Sequence, residues 1–164
     1  MLGVILKFDN WSKNIFKVLF KSIDISSWNF NINYWESYDN SMISNDYNEL
    51  DYIDSERAKN ELIYDNSEVY PEFLELFISK KNEKIYNLKT YNDFVKSSCF
   101  LSLVIIDHRI IEICCKDVQL LETIIENFKN SILKNKKIIV LEKIRQDAVI
   151  SAYRSNKEIN IYDR

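Results

Sequence analysis

The sequence predicts a single α+β domain over residues 1–164, with one mixed, mostly antiparallel sheet and helices packed mainly on one face of that sheet. Two stretches lead to this prediction. Residues 99–115 hold two apolar, β-branched runs separated by a short polar turn, a pattern typical of a β-hairpin. Residues 118–132 repeat apolar side chains at helical spacing, which indicates a helix with one buried face.

The hairpin forms the centre of the predicted fold. Its first strand, residues 99–107, is almost wholly apolar, so we expect it to be buried on both faces of the sheet. Asp107, His108 and Arg109 supply the turn, and residues 110–115 continue with the same strand chemistry. Because the link is so short, the two strands must be antiparallel neighbours.

Asp117 stands at the N-cap of the helix that follows the hairpin. Its carboxylate can accept hydrogen bonds from amides that have no partner inside the helix. The apolar face of this helix needs a sheet or another helix to cover it, and the adjacent hairpin is the expected cover. This face comprises Val118, Leu120, Leu121, Ile124, Ile125, Phe128 and Ile132.

The N-terminal part of the chain predicts a strand, a helix and a second strand. Residues 2–8 are mostly apolar and form the first strand, and apolar positions then recur at helical spacing from Ile15 to Ile23. Residues 28–34 alternate between large apolar side chains and asparagines, so they form a strand with one buried face.

From about residue 73 onward, the predicted order is strand, helix, strand, strand, helix, strand. Residues 73–78 form the first of these strands, a short helix begins after Thr90, and residues 138–141 form the last core strand. Residues 148–153 form either a short helix or an edge strand. This order matches the split βαβ, or ferredoxin-like, arrangement, to which the N-terminal elements add a βαβ extension.

Residues 36–72 differ in composition from the rest of the chain and are expected to form an insertion. They hold eleven Asp and Glu residues against Arg57 and Lys59, and no apolar period is sustained. One interpretation is a long, solvated, partly mobile segment. The other is a negative, aromatic surface that docks a basic partner protein. The interspersed tyrosines are Tyr38, Tyr47, Tyr52, Tyr64 and Tyr70.

The composition excludes several classes of function. The net charge of −3 gives no sign of nucleic-acid binding, and no apolar run approaches the ~20 residues of a membrane helix. Residues 2–8 lack the flanking features of a signal peptide. An odd number of cysteines without an export signal favours reduced thiols in the cytoplasm. The basic cluster of Lys134, Lys136 and Lys137 is expected to complement a helix end rather than to bind nucleic acid.

The sequence also argues against cofactor and metal sites. Gly3 is the only glycine, which rules out a phosphate-binding loop, a dinucleotide fingerprint and a nucleophile elbow. His108 is the only histidine, and we expect it to be an exposed polar residue of the turn. Cys114 and Cys115 are strand neighbours that point to opposite faces, so they cannot bind one ion together. We expect the cysteines to fill the core.

Paired carboxylates are the catalytic arrangement that the sequence leaves open. Glu75 and Glu112 lie within apolar strands, whereas Glu36 and Asp107 lie at strand ends. We expect each to face solvent or to pair with a lysine. In the alternative, Glu36 or Glu112 converges with Asp107 in a cleft as an acid/base pair.

Two segments resemble a small family of uncharacterised proteins, a domain of unknown function, from low-GC Gram-positive bacteria. The run from Ser27-Trp28-Asn29-Phe30 to Glu36-Ser37-Tyr38 is similar to that family's Phe/Trp-Asn and Glu-Ser-Tyr segment. The stretch over residues 91–117, ending Ile113-Cys114-Cys115-Lys116-Asp117, is similar to its Tyr…Cys-Lys-Asp region. The resemblance spans most of the chain. It implies no known activity and therefore no site residues.

These observations favour a non-enzymatic, cytoplasmic bacterial module that binds a basic protein through the acidic, tyrosine-bearing segment of residues 36–72. An immunity protein that neutralises a toxin is one concrete form, since it would bind and block a basic enzyme. We expect no nucleic-acid, membrane or metal partner. One alternative is a small enzyme whose carboxylate pair lies in a pocket lined by Trp28, Trp35 or Tyr38. Another is a structural oligomer.

Overall fold

A single six-stranded sheet organises the part of the chain that the computed structural model describes, which is residues 2–9, 15–37, 56, 59–64, 71–81, 83, 85 and 88–150. The strands are β1 (Gly3–Lys7), β2 (Trp28–Ser37), β3 (Pro71–Lys80), β4 (Leu101–Ile106), β5 (Ile110–Cys115) and β6 (Lys137–Leu141). Their order in the sheet is β2-β3-β4-β5-β1-β6. Every hydrogen-bonded pair of neighbours is antiparallel. The predicted α+β class is confirmed, but the sheet is antiparallel throughout rather than mixed.

The predicted hairpin is confirmed, with β4 and β5 paired along their whole length. Asp107 and His108 have φ values of 51° and 50°, as the two central residues of a type I′ turn require. Asp and His adopt this left-handed conformation more readily than most side chains do. The chain therefore forms a tight turn here without glycine.

In the described part of the chain, three α-helices accompany the sheet: α1 (Ile15–Leu19), α2 (Tyr91–Lys96) and α3 (Val118–Lys129). A π-helix covers Asn60–Tyr64. The predicted cap of α2 is present, because the Thr90 side chain accepts from the amide of Asp93 and the Asp93 carboxylate accepts from the amide of Thr90. The predicted cap of α3 is also present, with Asp117 accepting from the two amides at 119 and 120.

The end of α3 differs from the prediction. The helix stops at Lys129, and Ile132 is 88 % exposed instead of belonging to the buried stripe. Lys136 explains how the helix end is satisfied, because its ammonium donates to the carbonyl oxygens of Phe128, Lys129 and Ser131. The expectation that a basic residue complements this helix end is thus confirmed for Lys136.

Both faces of the sheet are covered. The first face, which includes Leu74 and Leu103, packs against α1, α3 and Leu62 of the π-helix. The second face, which includes Phe77 and Val104, packs against α2 and the segment of residues 144–150. One large apolar cluster therefore lies under α1 and α3, and a smaller one lies under α2.

The predicted ferredoxin-like core from residue 73 is not confirmed, because β3 pairs directly with β4 in the antiparallel sense. β1 lies between β5 and β6 and is antiparallel to both, so β5 and β6 run in the same direction with α3 between them in sequence. This is a split βαβ unit whose inserted strand is β1. The N-terminal strand is therefore an interior strand, next to the edge strand β6, and the extension at the other edge is formed by β2 and β3.

The segment predicted as an insertion is anchored at three places. Its ends belong to the sheet, since Ser37 pairs with Pro71 at the base of β2 and β3. Near its middle, Leu62 is fully buried in the first-face core and Lys59 is only 2 % exposed. The interpretation as a long, solvated segment is therefore wrong for Lys59 and Leu62, whereas Asn60 and Glu56 are exposed. Residues 38–55, with Tyr38, Tyr47 and Tyr52, lie outside the described residues.

The segment before the C-terminal tail behaves as an edge element rather than a helix. Val149 forms an isolated antiparallel bridge with Thr90, and Ala148 and Ile150 are buried in the second-face core. Of the two predicted alternatives, residues 148–150 therefore adopt the extended one. Residues 151–153 lie outside the described part of the chain.

Candidate binding groove

A groove of about 550 Å³ opens at the end of the sheet where β3 and β5 finish and β2, β4 and α3 begin. Its size falls within the range of ligand pockets. Its lining combines cationic and apolar side chains from four separate stretches of the chain. The lining residues are Ser27, Trp28, Lys80, Lys81, Phe100, Lys116, Asp117 and Leu120.

The strand directions bring the lysines together. β3 and β5 are both antiparallel to β4, so their C-termini lie at the same end of the sheet. Lys80 ends β3, Lys81 follows it, and Lys116 follows β5. All three residues are exposed. The groove therefore concentrates positive charge in a chain whose net charge is −3.

An aromatic wall of Trp28 and Phe100 borders the lysines, with Phe100 between the ends of β3 and β5 and Trp28 on β2, on the other side of Lys80. Trp28 is the cross-strand partner of Lys80, and its ring meets the ring of Phe100 edge-on with centroids 5.2 Å apart. Phe100 is held between the two strands, since its amide donates to Ile78 O and its carbonyl accepts from the amide of Lys116. Such T-shaped pairs are favourable geometries for aromatic rings.

Lys116 is held in place by the protein itself. Its Nζ donates to the carbonyl oxygen of Ser97 at 2.6 Å and lies 5.2 Å from the centroid of the Phe94 ring. Among the described lining residues Asp117 is the only acidic one, and its Oδ1 accepts from the amides of Gln119 and Leu120. An anion in the groove would meet lysine ammonium groups rather than free backbone amides.

The carboxylates singled out in the sequence do not gather around the predicted tryptophan pocket. Glu112 is half-buried on the second face, whereas Trp28 and Trp35 pack against the core of the first face. Asp107 is exposed in the β4–β5 turn, at the end of the sheet away from Trp28. Glu36 pairs with β3 through its backbone, while its side chain and Tyr38 lie outside the described part of the structure.

Glu112 lines a separate, small cavity of about 20 Å³ beneath α2, together with Tyr91 and Cys114. This volume accommodates about one water molecule. Burial, and to a lesser extent the neighbouring Cys114, raises the pKa of the Tyr91 hydroxyl. The cavity is too small for a substrate, so the groove is the stronger candidate site.

Glu75 is buried rather than facing solvent. It is 4 % exposed, and the side-chain amide of Asn33 donates to its Oε2 at 2.5 Å. Glu75 and Glu112 flank Val104 in register on neighbouring strands, so both lie on the second face with their Cα atoms about 10 Å apart. That separation is set by the intervening strand β4.

His108 and the cysteines have structural surroundings. His108 is half-buried, not exposed as predicted, and its Nδ1 lies 3.1 Å from the carbonyl oxygen of Pro71 at the start of β3. All three cysteines are free. Burial raises the pKa of Cys99 to about 12 and that of Cys115 to about 11. Cys115 packs in the first-face core and Cys114 against the second, so the prediction of opposite faces is confirmed.

No helix in the ranges given above is long and apolar enough to cross a membrane. Over the same ranges, no three His, Cys, Asp or Glu side chains are grouped so that they could hold a metal ion.

The sequence did not indicate Lys80, Lys81 or Lys116 as residues of a site. Each follows an apolar strand. That shared position becomes informative only when the parallel orientation of β3 and β5 is known. The partial signal was the tryptophan that opens β2, because a large aromatic side chain at a strand end often borders a site.

Comparisons with known proteins give one match. The model of a family described as "Protein of unknown function (DUF2691)" matches residues 1–149, a range that includes every residue of the groove. Neither the curated proteins nor the solved structures contain a match to the chain.

Proposed function

We propose that this chain, which belongs to the DUF2691 family of proteins of unknown function, is a protein-binding module that works without catalysis. The observation that supports this proposal is the groove itself, where Lys80, Lys81 and Lys116 surround the apolar wall of Trp28 and Phe100. Protein interfaces commonly combine aromatic anchors with charges that complement the partner. The partner would therefore present a negatively charged surface to this groove.

The surroundings of the cysteine and histidine side chains support the part of the proposal that the protein works without catalysis. The pKa values of Cys99 and Cys115 are raised by burial, which disfavours the nucleophilic thiolate. The imidazole of His108 is engaged with the backbone at Pro71. A cytoplasmic location and a bacterial origin remain part of the proposal. The free cysteines support the former, and the resemblance noted in the sequence supports the latter.

The test compares proteins recovered from the native host with three tagged forms of the chain. The groove variant Lys80→Glu with Lys81→Glu reverses two exposed charges of the lining. The control variant Lys134→Glu with Lys143→Glu makes the same change in charge at exposed positions outside the groove. We expect the wild type and the control to recover the same proteins and the groove variant to lose them. Equal recovery by all three forms would contradict the proposal.

The acidic segment of residues 36–72 is a second candidate docking surface, for a basic protein. Glu56, which is 63 % exposed, is the described residue that favours it. The structure changes how this surface should be tested, because the Glu56 carboxylate holds the buried Lys59 and its replacement would also disturb folding. Asp51→Lys with Asp54→Lys is the cleaner variant. Loss of a basic protein from the recovered set would support this second surface, and unchanged recovery would dismiss it.

A further inference from the structure

We infer that the groove takes an acidic peptide segment in which an apolar or aromatic side chain stands between carboxylates. This inference rests on the proposed function, since it names the partner chemistry of the same groove. It follows from three features of the site: the separation of the cationic groups, the engagement of nearby backbone amides, and the apolar wall, of which Phe100 lies between the charges.

The cationic groups are held apart. Lys80 and Lys116 belong to strands that are separated by β4, and two strand spacings amount to about 10 Å. Lys116 is fixed by its bond to Ser97 O, so its ammonium is not free to swing toward Lys80. An extended peptide places side chains that share one face about 7 Å apart at alternate positions. Carboxylates spread along a peptide match these separated charges better than one compact anion does.

Three backbone amides beside the groove that a phosphate could use are already engaged. Phosphate binding at a helix start depends on free amides in its first turn. At the start of α3, the amides of Gln119 and Leu120 donate to Asp117. The amide of Lys81 donates to Ser27 O. The Asp117 carboxylate also adds a negative charge to the lining, which disfavours a multiply charged phosphate more than a single carboxylate.

The apolar wall lies where the anchor of such a peptide would sit. Phe100 and Leu120 are half-buried, and Trp28 contributes the edge of a ring that is otherwise packed in the core. A side chain placed against Phe100 would lie between the end of β3, with Lys80 and Lys81, and Lys116 after β5. Hot spots of interfaces have this composition, with a buried apolar anchor surrounded by polar contacts.

The test measures binding of labelled synthetic peptides to the full chain by fluorescence anisotropy. The first peptide carries a phenylalanine between two pairs of Asp and Glu. The second replaces the acids by Asn and Gln, and the third replaces the phenylalanine by alanine. We expect the first peptide to bind the wild type and the Lys134→Glu/Lys143→Glu control equally. We expect its affinity to fall about tenfold or more in the Lys80→Glu/Lys81→Glu variant and at high salt. The second and third peptides should bind more weakly.

Other outcomes separate this inference from the proposed function. If the amide peptide binds as tightly as the acidic one, or if the groove variant binds the acidic peptide unchanged, the inference is wrong. It is also wrong if a phosphoserine peptide or inorganic phosphate binds through Lys80 and Lys81 while the acidic peptide does not. In that case the groove would still be a docking site, provided that the groove variant loses proteins from the host. If it loses none, both the inference and the proposed function fail.

Discussion

The carboxylate of Glu56 lies 2.8 Å from Nζ of Lys59, yet the two side chains occupy opposite environments, with exposures of 63 % and 2 %. Lys59 also donates to the carbonyl oxygen of Ser26 at 3.3 Å. The pair joins the segment that follows β2 to the turn that precedes it. A lysine that is buried at this depth depends on its partners, whereas the carboxylate can be hydrated without the lysine.

This asymmetry predicts that the two residues respond differently to replacement. Glu56→Gln removes the charge that faces a buried ammonium, and we expect it to lower the free energy of unfolding by about 1 to 3 kcal/mol. Lys59→Met removes the buried charge itself and leaves an exposed carboxylate, so we expect a change below about 1 kcal/mol. Urea denaturation of both variants measures the difference. Equal losses, or a larger loss for Lys59→Met, would contradict the structure at this pair.

Gly3 is required where β1 passes between two strands. A Cβ atom at this position would overlap the carbonyl oxygen of Ile113 on β5. Because that oxygen belongs to a paired backbone, the overlap is relieved only by shifting one strand. We expect Gly3→Ala to lower the free energy of unfolding by about 1 to 3 kcal/mol. Ser98→Ala, at an exposed position, serves as the control and should change stability by under about 0.5 kcal/mol. A neutral Gly3→Ala would mean that β1 does not lie against β5 as described.

Asp93 predicts a specific dependence of stability on pH. The amide of Thr90, then its hydroxyl, and the amide of Lys89 donate to the Asp93 carboxylate and hold its pKa below the ordinary value of 3.8. Since the folded pKa is the lower one, the stabilisation is complete above the unfolded value and is lost as pH falls through the folded value. We expect Asp93→Asn to lower the melting temperature at neutral pH. Its melting temperature should approach that of the wild type in strong acid. A constant difference at all pH values would show that the capping box contributes no charge effect.

Cys99 and Cys115 are predicted to react slowly with thiol reagents while the protein is folded. At a pH of about 8, the raised pKa values of about 12 and about 11 leave Cys99 and Cys115 almost wholly protonated. We expect iodoacetamide to modify both residues in the folded protein roughly 100-fold or more slowly than in urea. Mass spectrometry of digested samples resolves the sites. Rapid labelling of Cys99 in the folded protein would show that the second-face core is not closed as described.

The parts of the fold that the sequence predicted correctly are those with local signals. The hairpin between Leu101 and Cys115 and the start of α3 at Asp117 follow from apolar runs and a capping residue within a few positions of each other. The strand order depends on a long-range contact that has no such signal. Nothing near Gly3 in the sequence indicates that β1 pairs with both β5 and β6.

The groove could not be predicted from the sequence for the same reason, because long-range strand pairing brings its residues together. Lys80 and Lys116 are far apart in the chain. They meet at the same end of the sheet because β4 runs between their strands and is antiparallel to both. Glu75 and Glu112 were considered as candidate catalytic carboxylates because they interrupt apolar runs. The sequence also could not show that these two residues lie in register on either side of Val104, because that position depends on the strand pairing. Side-chain periodicity identifies the face of a strand but not its neighbours.

The position of β1 has a consequence for biosynthesis. This apolar strand leaves the ribosome about 100 residues before the partners it needs on either side, which begin at Ile110 and Lys137. At a translation rate of about 5 to 20 residues per second, the strand waits for roughly 5 to 20 seconds without a hydrogen-bonded neighbour. During that interval Val4, Ile5 and Leu6, all buried in the finished protein, are available to chaperones and to other nascent chains.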